Sequence, residues 1–458
     1  MKLFKIATAV ALIYNAQTVG GDCSFDEISV ESSPGFTISI EKEYKMLEDT
    51  RSQMKYGLYC DSQPSNVDGI DRWFKVPVSS VGVRIPLASG FLEALGHRDT
   101  LKAAESPGNL TNICLGNIQP LESSTVDIVF GTNTTSDGEK TVALPADDTL
   151  TPLQKAEWIK FVAAFYNDEK AASSLYSSIS AAYECHWSNL QHLAQQPHAY
   201  WVQYADKQPQ IIDSAYQKSL LAGAGATNDT KEPLSDPTDP SKFQEAIKDA
   251  DFVFDQTFLT EYGQRASEWY EKFAYPDPQN SGASFLRSRN IWRTDGYTSK
   301  DGVSNFPEFG YVRPDLVLQD IISVMEPTYE PKYQRRWMLW LGGTNENTVV
   351  IDSSNYNCDS PWITQVAKCE ARTDFTGEDG SSSDSSSDSS SSDDEGKSEG
   401  SSGRAGKIAG GVVAAAAVIA LAVVALHYYN KRRRNLRIQA LAQQAEFGGH
   451  SPQARRFS

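Results

Sequence analysis

The sequence predicts an α/β protein of two lobes, each with a central, mostly parallel sheet, joined by a long backbone helix and followed by one C-terminal transmembrane helix. Three observations carry this expectation. Short strand–helix–strand units lie on both sides of a helical stretch with no proline between Pro152 and Pro197. That stretch places Leu153, Ala156, Trp158, Ile159, Phe161, Val162, Phe165 and Tyr166 at helical spacing. Both ends of the chain carry apolar runs. The 458 residues divide into a signal peptide (1–21), an N-terminal α/β lobe (22–150), a long connecting helix (151–196) and a C-terminal α/β lobe (197–372). A disordered Ser/Asp-rich acidic stalk (373–407), a transmembrane helix (408–429) and a basic cytoplasmic tail (430–458) complete it.

The ends set the compartment. Lys2 and Lys5 precede the apolar residues 6–13, a run too short to span a bilayer and of secretory-signal form. Residues 408–426 are only Ala, Gly, Val, Ile and Leu. As a helix they measure roughly 28 Å, close to the hydrocarbon thickness of a membrane. Tyr428 and Tyr429 then suit the interface, and Lys431, Arg432, Arg433, Arg434 and Arg437 place the tail in the cytosol. The expected product is a single-pass type I protein of the cell membrane with an extracellular ectodomain and a cytosolic basic tail, with an endomembrane as the alternative. The charged tail rules out a lipid-anchor signal, which ends in its apolar segment. The tract SSSDSSSDSSSSDDE has nothing to bury and reads as a self-repelling spacer.

Acidic residues number 59 against 42 basic ones, a net charge of −17. Such a body repels a phosphate backbone and disfavours nucleic acid as a partner. All six cysteines lie between the signal peptide and the membrane segment, which fits disulfides in an oxidising compartment. Cys358 and Cys369 are close enough to predict a short local bridge; the other pairings stay open. Asn109, Asn133 and Asn228 head N-glycosylation sequons.

Along the ectodomain, residues 81–85 alternate as a strand, Ser89 is a plausible helix cap, 91–95 is helical, and Gly96 suits a helix end. Residues 101–104 and 126–131 read as further strands. Thr151-Pro152 starts the long helix, with a break expected at Asn167-Asp168. In the second half, 199–204, 251–255 and 292–294 read as strands. Residues 243–247 and 315–325 read as helices, the last ended by Pro327, and 228–241 as a surface loop.

This order, with PLAS, FLEALG, PLQKAEWIKF and YVRPDLVLQDIISVMEP at its landmarks, resembles the helical-backbone class of periplasmic substrate-binding proteins. Behind a signal peptide and ahead of a membrane helix, it is most similar to the algal cobalamin acquisition proteins and related siderophore-binding surface proteins. The resemblance covers roughly residues 70–345 and is diffuse. It implies two lobes bridged by a rigid helix, a ligand held non-covalently in the cleft, and little closure.

Open parallel sheets bind ligands beyond the carboxyl ends of their strands. The loops expected at a cleft are therefore 86–90, 203–216 and 292–313. The candidate ligand-binding residues are Ser89, Tyr204, Trp292, Arg293, Tyr297, Phe309, Tyr311 and Arg313. Rigid aromatics suit a flat macrocycle, and arginines suit oxyanions. Cobalamin is the expected transported ligand, with a ferric siderophore as the alternative and a surface adhesion or structural role as a second. No cofactor is expected to be covalently bound. Uptake would require a separate transporter or endocytic machinery. No GxSxG, P-loop, GxGxxG or HExxH motif occurs, and no metal-ligand spacing, so neither catalytic nor metal residues are expected. Asp147-Asp148 and Asp168-Glu169 read as solvated charges, and Cys185 as a disulfide or packing residue.

Overall fold

The structure, a computed structural model, describes residues 25–372 apart from 133–137, 139, 146, 192, 194, 229–239, 258–264, 344–345 and 366–367. The signal peptide, stalk, transmembrane helix, basic tail and Asn133 lie outside the described residues. Among the described residues no helix is long and apolar enough to cross a membrane.

The chain opens with a four-stranded sheet, β1 (Phe36–Ile40), β2 (Lys45–Asp49), β3 (Met54–Tyr59) and β4 (Arg72–Lys75), in sequential order. β1–β3 are antiparallel and β4 is parallel to β3. Strand alternation turns Phe36, Leu47, Tyr56, Leu58 and Phe74 inward, all buried. Their rings meet Trp158, Phe161 and Phe165, with Phe36 and Trp158 4.8 Å apart.

Next comes a five-stranded parallel sheet ordered β7-β6-β5-β8-β9. Its strands are β5 (Val81–Val83), β6 (Leu101–Ala104), β7 (Gln119–Pro120), β8 (Ile128–Gly131) and β9 (Thr141–Ala143). Helix α1 (Pro86–Ala94) joins β5 to β6 as a right-sized βαβ crossover. It begins at Pro86, not after Ser89, because proline at the first helical position already has the required φ. Ser89 therefore lies inside the helix and is buried.

The connecting region is α2 (Pro152–Ala156), α3 (Trp158–Ala163) and, after a break, α4 (Glu169–Leu190). Thr151 and Gln154 form a capping box at its start. The break falls at Asn167, which adopts left-handed φ 57° and ψ 39°, as the Asn-Asp pair led one to expect. The Glu157 carboxylate accepts the backbone N–H groups of Glu31, Ser32 and Ser33, and Lys45 forms a buried ion pair with Glu169. Those contacts fasten the N-terminal sheet to the connecting helices.

The second half forms a five-stranded sheet ordered β11-β10-β12-β13-β15. It contains β10 (Ala199–Ala205), β11 (Gln208–Ile211), β12 (Phe252–Asp255) and β13 (Ile291–Arg293), with β14 (Tyr297–Thr298) lying outside it and β15 (Leu339–Trp340) at its edge. β10, β12 and β13 are parallel, while both edge strands are antiparallel. Around this sheet are α5 (Ala215–Gly223), α6 (Pro240–Ala246), α7 (Ala266–Lys272), α8 (Ser284–Arg287) and α9 (Pro314–Met325). α9 packs along α4 and α5. The α/β class with largely parallel central sheets is thus present.

The last described segment returns across the molecule. β16 (Val349–Val350) pairs with β14, and Ile351, Tyr356, Trp362 and Ile363 enter the core. The expected Cys358–Cys369 bridge is incorrect. Cys358 joins Cys114 beside the first parallel sheet, and Cys369 joins Cys185 on α4, with Cα separations of 5.6 and 6.0 Å. Both cysteines are placed by this strap rather than by their sequence proximity; Cys60 is disulfide-bonded as well. Beyond Cys369, Asn189 on α4 donates to the Glu370 carbonyl at 2.9 Å and accepts the Arg372 N–H at 2.8 Å.

Candidate ligand-binding site

The eight residues expected at a cleft fall in several different environments. Arg293 is completely buried, ion-paired with Asp295 at 3.1 Å, and bound to the Thr257 carbonyl. Arg313, at the N-cap of α9, pairs with Asp315 at 2.7 Å and donates to the Ile363 carbonyl at 2.7 Å. Both guanidinium groups brace the fold, so the expectation that they meet ligand oxygens is corrected by their burial and internal partners. Trp292 is buried, stacked with Trp340 and within 4.8 Å of the Arg335 guanidinium. Phe309 is core, stacked on Tyr356 with its edge to Trp362. Tyr297 is half-buried on β14, and Tyr204 is half-buried beneath Lys272. Asn109 is exposed and Asn228 half-buried.

Ser89 belongs to a buried junction between the two halves of the chain. α1 presses against the turn Phe306–Gly310, and the Glu308 carboxylate lies between them. It accepts hydrogen bonds from Ser89 Oγ at 2.6 Å and from the Thr111 N–H and hydroxyl at 2.6 Å each. Asn305 donates to Thr111 Oγ1 at 2.7 Å. Nearby, Glu93 accepts from Asn112, Arg98 and the Tyr356 hydroxyl. Burial holds the Glu308 carboxyl above the ordinary range, only partly offset by the bonds from Ser89 and Thr111.

A raised acid contributes stability that is complete below its unfolded pKa and is lost as pH rises through its folded one. Asp255, pushed up to about 6 chiefly by burial against the attraction of Arg293, acts with the same sign. In denaturant unfolding the difference from Asp255→Asn should therefore show this share of the stability falling between about pH 4 and about pH 6, while buried His186, whose pKa is lowered, acts in the opposite sense. Glu308→Gln keeps the hydrogen-bond geometry without the charge and should flatten part of that slope. An unchanged slope would show that Glu308 does not titrate in this window.

A second polar cluster joins the two halves where their strands end. β9 leads into Asp147 and Asp148, and α2 brings Lys155 to them. Lys155 Nζ binds Asp148 Oδ1 and the Asp147 carbonyl at 2.8 Å each. From the second half, Gln217 on α5 donates to Asp148 Oδ2 at 2.7 Å and to Gln256 Oε1 at 3.1 Å. Gln256 follows β12 and also accepts the Trp201 indole N–H at 2.7 Å. Tyr311 lies over Lys155, 3.8 Å from ammonium to ring centre, with its hydroxyl 3.5 Å from Asp148. Burial lowers the Lys155 pKa, opposed by Asp148. Gln203, two residues beyond Trp201 on the same strand face, pairs with Gln210 at 3.0 Å.

Asp148, Gln203, Gln210, Gln256 and Tyr311 are each partly exposed, and Arg84 at the end of β5 is too. Asp148, Gln256 and Arg84 follow the carboxyl ends of β9, β12 and β5, where open α/β sheets bind ligands, and the Asp148–Gln217–Gln256 cluster with Tyr311 forms a half-open floor there. Of the eight expected residues, Tyr311 alone belongs to it. Asp148 is not the solvated charge that its sequence context suggests, and neither is buried Glu169. Among the described residues no cluster of three His, Cys, Asp or Glu side chains is placed to hold a metal ion. Open cavities of about 670 and 590 Å3 share Ala274, Tyr275 and Pro276, in the segment after α7.

No protein-family model matches the chain, and no curated protein matches it. Solved structures with a similar fold include the periplasmic heme-binding protein HutB of Vibrio cholerae, 13% identical, covering 54% of this chain and 99% of that one with a TM-score of 0.41. A periplasmic heme-binding protein from Pseudomonas aeruginosa is also 13% identical, covering 57% and 97% with a TM-score of 0.43. CeuE of Helicobacter pylori, solved with Ni(II) bound, is 11% identical, covering 57% and 88% with a TM-score of 0.39. Likeness at this level leaves the ligand and activity of this chain to its own residues.

Proposed function

We propose that this protein is a cell-surface receptor that captures a bulky, cofactor-like molecule, cobalamin first among them, for uptake. The observation that supports the reading is the floor of Asp148, Lys155, Gln217, Gln256 and Tyr311, drawn from both halves of the chain. Its hydrogen-bonding groups are largely neutral side-chain amides: Gln203, Gln210, Gln217 and Gln256. Amides pair with the amide arms of a corrin, while the Tyr311 face offers apolar contact. Arg293 and Arg313, which an anionic chelate would favour, are held internally. A ferric siderophore is the second reading, favoured by half-buried Arg84 at the end of β5, 2.9 Å from Glu105. The buried Glu308 junction and the strap bridges suit a receptor that binds with little closure. The receptor reading carries with it a type I anchor supplied by residues 408–429 and a separate permease or endocytic partner.

Titrating the purified full-length chain with cobalamin and with a ferric hydroxamate tests this. One of the two should quench tryptophan fluorescence saturably and raise the melting temperature. Gln256→Leu should weaken that ligand by about tenfold, the scale of a lost buried hydrogen-bonding contact. No saturable response to either compound would overturn the receptor reading.

A further inference from the structure

A different cavity, of about 320 Å3, opens between the first turns of α9, the segment around Tyr333 and Arg336, and the strap residues Trp362, Gln365 and Lys368. It shares no residue with the polar floor, and nothing in the proposed receptor role uses it. Hydrogen-bond donors line it. Trp362 is nine-tenths buried and lines the cavity, while its indole N–H, which has no protein partner, is sealed from solvent.

Arg336 lies 5.0 Å from the Trp362 ring centre, and its Nη1 donates to the Tyr333 hydroxyl at 3.3 Å. Lys368 and Gln365 are exposed on the strap. Among the described residues neither Arg336 nor Lys368 forms an ion pair. Arg313 also lines the cavity, already closed into an ion pair with Asp315. Two acids oppose these cations, and their hydrogen bonds orient them without removing their charge. Glu330 accepts from Gln319, and Asp320 accepts the Tyr333 hydroxyl and the N–H groups of Arg336, Trp337 and Met338.

We infer that this cavity is a second binding site, for a small organic compound or ion carrying more than one oxyanion group, phosphate or carboxylate. Arg336 would bind it in its planar fork, and Lys368 would supply a mobile charge. The volume corresponds to about ten waters, so the ligand exceeds a single phosphate and lies at the small end of known ligand pockets. Because Gln365 and Lys368 belong to the strap, an occupant would also tie that strap to α9.

Calorimetric titration of the full-length chain with pyrophosphate and with citrate, acetate serving as control, tests the inference and separates the two chemistries. Saturable one-to-one binding of either polyanion, with none for acetate, is expected, together with a shift of the Trp362 indole N–H resonance. Arg336→Gln should weaken binding by about tenfold or more and Lys368→Gln by about threefold, as for charge-assisted contacts. Lys368 is exposed, so its variant reports even if Arg336→Gln fails to fold. No saturable heat with either polyanion, or an affinity that Lys368→Gln leaves unchanged, overturns the site. Cobalamin or hydroxamate binding that persists in Lys368→Gln would separate this result from the receptor reading.

Discussion

Replacing Cys114 and Cys358 together by serine should lower the unfolding free energy by about 3–5 kcal/mol, read from the guanidinium midpoint at constant slope. The two residues are 244 positions apart, so their bridge removes a large closed-loop entropy from the unfolded chain. It also holds the strap at the first parallel sheet, where Arg98 donates to the Cys358 carbonyl at 2.6 Å. Cys185 with Cys369, separated by 184 residues, should behave alike. The two pairs fasten different ends of the strap, so their effects should be close to additive. A loss below about 1 kcal/mol would mean that Tyr356, Trp362 and Ile363 alone keep the strap seated in both states.

The second large effect is a paradox of helix propensity. Gly90 lies inside α1, where alanine is ordinarily the better residue by about 1 kcal/mol. Here a Cβ would stand 1.9 Å from the Glu308 carbonyl oxygen and 2.9 Å from Val312 Cγ2. The obstacle is backbone and cannot rotate away. Gly90→Ala should therefore destabilise by about 1–3 kcal/mol despite the gain in propensity, because overpacking forces α1 off the turn. Ser89→Ala makes the control: it removes one bond to Glu308 without crowding and should cost about 1 kcal/mol. A Gly90→Ala variant as stable as the parent would show that the two halves separate easily at this junction.

The elements that could be read from the sequence were those with unbroken local signals. β5 and β6 follow their alternation, α1 follows helical spacing but starts earlier, at Pro86, and α9 matches its predicted 315–325 within a residue. The connecting helices broke at Asn167 because an Asn-Asp pair tolerates the left-handed conformation. The N-terminal sheet carries no element in the sequence reading, since its inward faces mix Leu47 and Tyr56 with buried Lys45 and Asp49. Those charges look solvated until Glu169 and Arg51 are placed beside them.

The same physics hid the site. Arg293 and Arg313 look available as a pair of cations among aromatics. Each, however, stands two residues before an aspartate, Asp295 and Asp315, and both pairs close as buried bridges. The repeated Arg-X-Asp spacing was the signal for bracing. Gln217 and Gln256 had no signal at all, because an uncharged amide becomes informative only when distant elements bring it to Asp148.

The anchorage of the final described residues on α4 has a mechanical consequence. Asn189, the Cys185–Cys369 bond and the Tyr329 carbonyl grip the chain through Arg372. A pull exerted on anything that follows is delivered to a helix by a covalent link, and neither central sheet stands in the load path. Tension applied beyond Arg372 would thus reach α4 through the Cys185–Cys369 bond before it reached any strand.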